Sequence, residues 1–109
     1  MSRVNGFLEH DDVVARLWQE HARAAFPTGL RGVELAGVDM VLLDADIAGC
    51  VSTWRTNGGV LDIERQKVLR NCIADVDQVM PLLNDAEHIC YYRRLRQLAQ
   101  LVSDTGPQP

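Results

Sequence analysis

The sequence predicts an all-α protein, a compact antiparallel four-helix bundle. Three observations carry that expectation. Four long segments repeat apolar residues at three- and four-residue spacing, the period of a helix with a buried face. Short connections holding Pro27 and Gly29, Asn57-Gly58-Gly59, and Pro81 separate them, so neighbouring helices should run antiparallel. A chain of 109 residues, 47% apolar and 24% charged, has material for one core and no second. Residues 1–104 are therefore expected to form a single helical domain. Residues 105–109, with two prolines and nothing to bury, are expected to be a disordered tail, and Met1 to Asn5 should fray likewise.

The first helix is predicted from about His10 to Phe26. Asp11 and Asp12 suit its positive end, and Pro27 with Gly29 ends it. Val13, Val14, Leu17, Trp18, Ala22, Ala24 and Ala25 make one broad face, with Arg16, Gln19, Glu20 and Arg23 opposite.

The second helix is predicted from about Glu34 to Thr56, stopped by Asn57-Gly58-Gly59. It is too apolar for an ordinary surface helix and too charged to span a bilayer. One flank carries Met40, Leu43, Ile47, Val51 and Trp54. The other carries Val38, Val41, Leu42, Ala45 and Ala48. Asp39, Asp46 and Thr53 line one seam between the flanks; Asp44 and Arg55 mark the other. A helix with two apolar flanks must bury both, inside its own bundle or against a second copy. A buried strand over Val38 to Asp44 is the rival reading, disfavoured because no βα repeat follows.

The third helix is predicted from about Ile63 to Leu83, with Asp62 as N-cap and Pro81 bending or shortening its last turn. Val68, Leu69, Cys72, Ile73, Val76, Val79, Met80 and Leu83 fall in one arc, with Leu69 and Ile73 at the centre of the core. Asp85 caps the fourth helix, which runs to about Ser103 and buries Tyr91, Tyr92, Leu95, Leu98, Ala99 and Val102. Cys50, Cys72 and Cys90 form no CxxC pair and are expected to be buried, reduced thiols.

The net charge of −4 argues against nucleic acid as partner. Arg93, Arg94 and Arg96 alternate with the tyrosines and Leu95, but that spacing suits a solvated helix face. The opening MSRVNGFLEHDD has no apolar signal-peptide core, so a cytoplasmic location and no membrane contact are expected. No phosphate loop, nucleophile elbow or metal-ligand spacing is present; no metal and no cofactor are expected. His21 lies on the apolar face of the first helix and reads as a satisfied core histidine. Counting levels back from the turns pairs Asp39 with His88, a candidate acid/base dyad, and Asp44 or Asp46 with Arg94 or Arg96.

The segment Asp44-Ala45-Asp46-Ile47-Ala48-Gly49-Cys50-Val51, with Trp54 and Asn57 to Asp62, resembles small uncharacterised bacterial helical proteins. The likeness covers about the middle fifth of the chain. It implies a stand-alone bacterial protein and attaches no activity.

The expected function is a small protein–protein interaction module: a regulator, adaptor or immunity-type inhibitor without catalysis, working as a homodimer, with another protein, or both. The alternative is a small-molecule binder or enzyme whose inter-helix pocket uses Asp39 and His88. Asp44, Asp46, Trp54, Tyr92 and Arg94 would then be the ligand-binding candidates.

Overall fold

A computed structural model describes residues 2–105, and the side chains of residues 11–105. The protein is all-α in its main elements: helices α1 (Ser2–Arg23), α2 (Met40–Thr56), α3 (Ile63–Val79) and α4 (Ala86–Ser103) pack against one another. Helix α4 lies against α1, α2 and α3, and α2 also packs on α3.

Helix α1 starts earlier than expected. Ser2 to Asn5 are helical, and Asp11 and Asp12 lie within the helix instead of at its positive end. No proline interrupts this stretch, and Gly6 alone costs only about 1 kcal/mol in a helix. Val14, Leu17 and His21 form its buried stripe at helical spacing. The helix stops at Arg23, short of Phe26, and Pro27 leads into a 3-10 turn (Thr28–Leu30) that buries Leu30.

The largest correction concerns the start of the second helix. Residues Glu34 to Asp39 form a minimal hairpin, strands β1 (Glu34–Leu35) and β2 (Val38–Asp39), with Glu34 opposite Asp39 and Leu35 opposite Val38. Its central residues, Ala36 and Gly37, both have positive φ, 52° and 77°, as a two-residue hairpin turn of the twisted kind requires. Gly37 permits the turn; Ala36, a strong helix former by propensity, sits strained at its first position. Asp39 then starts α2: its Oδ1 accepts hydrogen bonds from the Val41 and Leu42 amides, both at 3.0 Å.

The C-terminal end of α2 follows expectation. The Gly59 amide reaches back to the Trp54 carbonyl at 2.8 Å and the Gly58 amide to that of Arg55 at 3.4 Å, with Gly58 and Gly59 at positive φ. Helix α3 ends at Val79, and Met80–Leu82 form a 3-10 turn around Pro81, which has no amide to continue the helix. Asp85 caps α4 through the Glu87 amide at 2.8 Å and the His88 amide at 3.4 Å. Asp62 precedes α3, but its carboxylate bonds the Arg65 side chain at 3.0 Å and caps no amide.

The core is one cluster drawn from all four helices, with Leu30 and Leu61 closing it from the connections. All six residues expected on the buried face of α4 are buried. On α3, Leu69, Cys72, Val76 and Val79 are buried, and Leu83 is buried beyond its end. Ile73 is only half-buried, Val68 is 41% exposed, and Gln66, an unexpected member, is 1% exposed. On α2, the flank of Met40, Leu43, Ile47, Val51 and Trp54 is buried. Of the other flank, Val41, Leu42 and Ala45 are exposed, Ala48 is half-buried, and Val38 is half-buried in β2, ahead of the helix.

The expected tail begins one residue too early. The Thr105 hydroxyl donates to the Val102 carbonyl at 2.6 Å and accepts from the Trp54 indole at 3.2 Å. The rest of that expectation, at 106–109, and the expectation for Met1 lie outside the described residues.

Candidate functional site

The polar centre of the molecule is Asp44. It stands on the seam of α2 that faces α1 and α4, four residues along from the buried Met40 and three before Ile47. His21 reaches it from the buried stripe of α1: Nε2 lies 2.9 Å from Asp44 Oδ1. Tyr91 reaches it from α4, its hydroxyl donating to Oδ2 at 3.0 Å. One carboxylate therefore ties three helices together, and both of its oxygens are engaged. Asp44 is 19% exposed and His21 7%, so these contacts are shielded from competing water.

The rings stack around this node. His21 and Tyr91 have centroids 5.0 Å apart, and Phe26 meets Tyr91 edge-on at 5.6 Å. The Arg94 guanidinium lies over the Tyr91 ring at 5.6 Å. Burial, reinforced by the adjacent Asp44 charge, pushes the Tyr91 phenol above its ordinary range. The phenol is therefore held protonated as a donor. Nδ1 of His21 is buried and has no partner among the described residues.

The predicted pair of Asp39 and His88 does not form. No hydrogen bond or ion pair joins them among the described residues. Asp39 is committed to capping α2, and the His88 ring lies beside Gly29, 3.4 Å from where a Cβ there would stand. Counting levels from the turns runs α2 too far toward its N-terminus, because the hairpin occupies the residues assigned to its first turn.

The other candidates are dispersed. Asp46 is exposed, in a hollow with Asp39, Asp75 and Glu34. Trp54 is buried with its indole on Thr105. Tyr92 is fully buried, its hydroxyl donating to the Met40 carbonyl at 2.6 Å, and burial raises its phenol strongly. Arg96 pairs with Asp77 at 2.6 and 3.1 Å instead of with Asp44 or Asp46. Of the residues proposed from sequence, Asp39 and Asp46 line one hollow, while Asp44 and Arg94 both meet Tyr91, one at its hydroxyl and the other over its ring.

Sequence reasoning missed His21 as the partner of Asp44. The signal was present: two ionisable groups, on the buried faces of different helices, each needed a partner. The relative register of α1 and α2 is what the sequence did not encode.

Burial raises the Cys72 thiol to about 12 and raises that of Cys50 as well, so both stay protonated. Cys90 is exposed, against expectation, because position 90 falls outside the arc of Tyr91, Leu95, Leu98 and Val102. Among the described residues, no group of three or more His, Cys, Asp or Glu side chains is placed to hold a metal ion. No helix among them is long and apolar enough to cross a membrane. No family model, no curated protein and no solved structure matches this chain.

Proposed function

We propose that this chain is a small protein–protein interaction module of the bacterial cytoplasm, without catalytic activity, acting as a homodimer through the open face of α2. The observation that carries this reading is that α2 buries only one of its two apolar flanks. Val41 is 39% exposed, Leu42 58%, and Val68 on the facing edge of α3 41%. Val68, Ala45 and Gly49 border a groove of about 470 Å³ between α2 and α3.

Gly49 supports the same reading. A glycine inside a helix costs about 1 kcal/mol relative to alanine. A Cβ at Gly49 would meet nothing within 4 Å among the described residues, so none of them calls for a glycine there. Close approach of a second helix backbone does call for one.

A second copy of the chain fits best as occupant. Gly49 lies near the middle of α2, on an exposed ridge with Leu42, Ala45, Ser52 and Thr56. A two-fold axis at Gly49 lays the bulky end of this ridge against the small end of its copy.

Cross-linking tests the reading. Ser52→Cys in a Cys90→Ser background leaves Gly49 intact and should give a covalent dimer with a short bismaleimide, and Gln97→Cys on the exposed side of α4 should not. Failure of Ser52→Cys to cross-link, or equal yields from the two variants, would remove the proposed interface.

A further inference from the structure

Beside the C-terminal end of α1 and the first turns of α4 lies a surface hollow of about 420 Å³, within the usual size of small-ligand sites. Phe26, Pro27 and Tyr91 give it an apolar wall. Arg94, Glu87 and the Cys90 thiol line it from α4. Arg94 is half-buried. Its Nε–H is shielded from water and has no acceptor, and the guanidinium makes no ion pair among the described residues. The carboxylate on the other side of Tyr91, Asp44, already accepts from His21 and Tyr91. Tyr91 thus holds the guanidinium in place by its ring while its hydroxyl is turned away to Asp44.

A half-buried guanidinium with no ion pair among the described residues, set on an aromatic floor and lining a concave surface, calls for an anion. The fork of an arginine matches a carboxylate, and the apolar wall matches an apolar body attached to it. Glu87 on the same rim opposes a second negative charge, which disfavours phosphate and other dianions.

We infer that the hollow over Tyr91 binds a small monocarboxylate with an apolar or aromatic body, its carboxylate held by Arg94. The inference stands apart from the proposed dimer, which uses the α2–α3 face.

Cys90 supplies the reporter, because it lines the hollow and is exposed, whereas Cys50 and Cys72 are buried. The native protein is alkylated with iodoacetamide in the presence of phenylacetate, of its neutral isostere phenylacetamide, or of inorganic phosphate. Saturable protection of Cys90 by phenylacetate, with little from the other two, is the expected result. Arg94→Gln should weaken that protection by roughly tenfold or more, the measure of a lost charge-assisted hydrogen bond, and Arg94→Lys by less. Equal protection by phenylacetamide would assign the binding to the apolar wall alone and overturn the role of Arg94. Equal protection by phosphate would overturn the monocarboxylate class. No protection by millimolar phenylacetate would overturn the site. The three wild-type comparisons decide the matter even if a variant fails to fold.

Discussion

Single residues in this protein carry unequal weight, and Asp44 carries the most. Its two oxygens satisfy groups from two other helices, so Asp44→Ala strands both His21 and the Tyr91 hydroxyl. The loss should be roughly 2–4 kcal/mol in urea unfolding, against about 1 kcal/mol for Tyr91→Phe, which leaves the His21 contact in place. Equal losses would show that Asp44 does not serve both partners. Gln66 makes the opposite case. It is 1% exposed with both amide atoms unpartnered among the described residues, so Gln66→Leu should stabilise by about 1 kcal/mol or more. A destabilised variant would mean that the amide has a partner after all. Cys72, Tyr91 and Tyr92 all have raised folded pKa values, chiefly through burial. The stability they contribute is full below their unfolded values and is lost as pH rises through the folded ones. Urea midpoints should therefore fall steadily from about pH 9 upward, and a flat profile to ~pH 11 would contradict the burial of these groups. At this scale the sequence is informative about faces and silent about partners. The arc Tyr91, Leu95, Leu98 and Val102 is legible because period alone defines it. The contact of His21 with Asp44 is not, because it depends on how far one helix slides past another.

Among the elements, α4 and the end of α2 are the most legible, because a cap marks each with little ambiguity: Asp85 ahead of α4, and Asn57-Gly58-Gly59 after α2. The start of α2 is the least legible. Leu35, Ala36 and Val38 continue its apolar pattern, and Ala36 has high helix propensity. The countersignals are Gly37, a residue costly within a helix, and Asp39, a good N-cap placed directly before the apolar run. The hairpin makes a prediction of its own. Ala36 holds a positive φ of 52°, a conformation that asparagine adopts more readily. Ala36→Asn should raise stability by about 0.5–1 kcal/mol, read as a higher urea midpoint at constant slope. A lower midpoint would mean that the turn is not of this kind in solution. Pro81, expected to bend or shorten the last turn of a helix running to Leu83, shortens it to Val79, because it has no amide to continue the helix.

For the whole molecule, composition bounds the answer better than any motif. A single core drawn from all four helices is what the length and the apolar fraction imply. The second apolar flank of α2 is legible from residue spacing alone, as a surplus that one small bundle cannot cover. The fold leaves Val41 and Leu42 exposed on the helix that carries Gly49, where a Cβ would meet nothing within 4 Å among the described residues, and the homodimer reading rests on that surplus. Sedimentation equilibrium at micromolar concentration tests it most directly. Two copies of the 12.2 kDa chain should sediment together, and Leu42→Asp, with an unchanged circular dichroism spectrum, should give a monomer. A monomeric wild type, or a Leu42→Asp variant that remains dimeric, would contradict the assignment of this face.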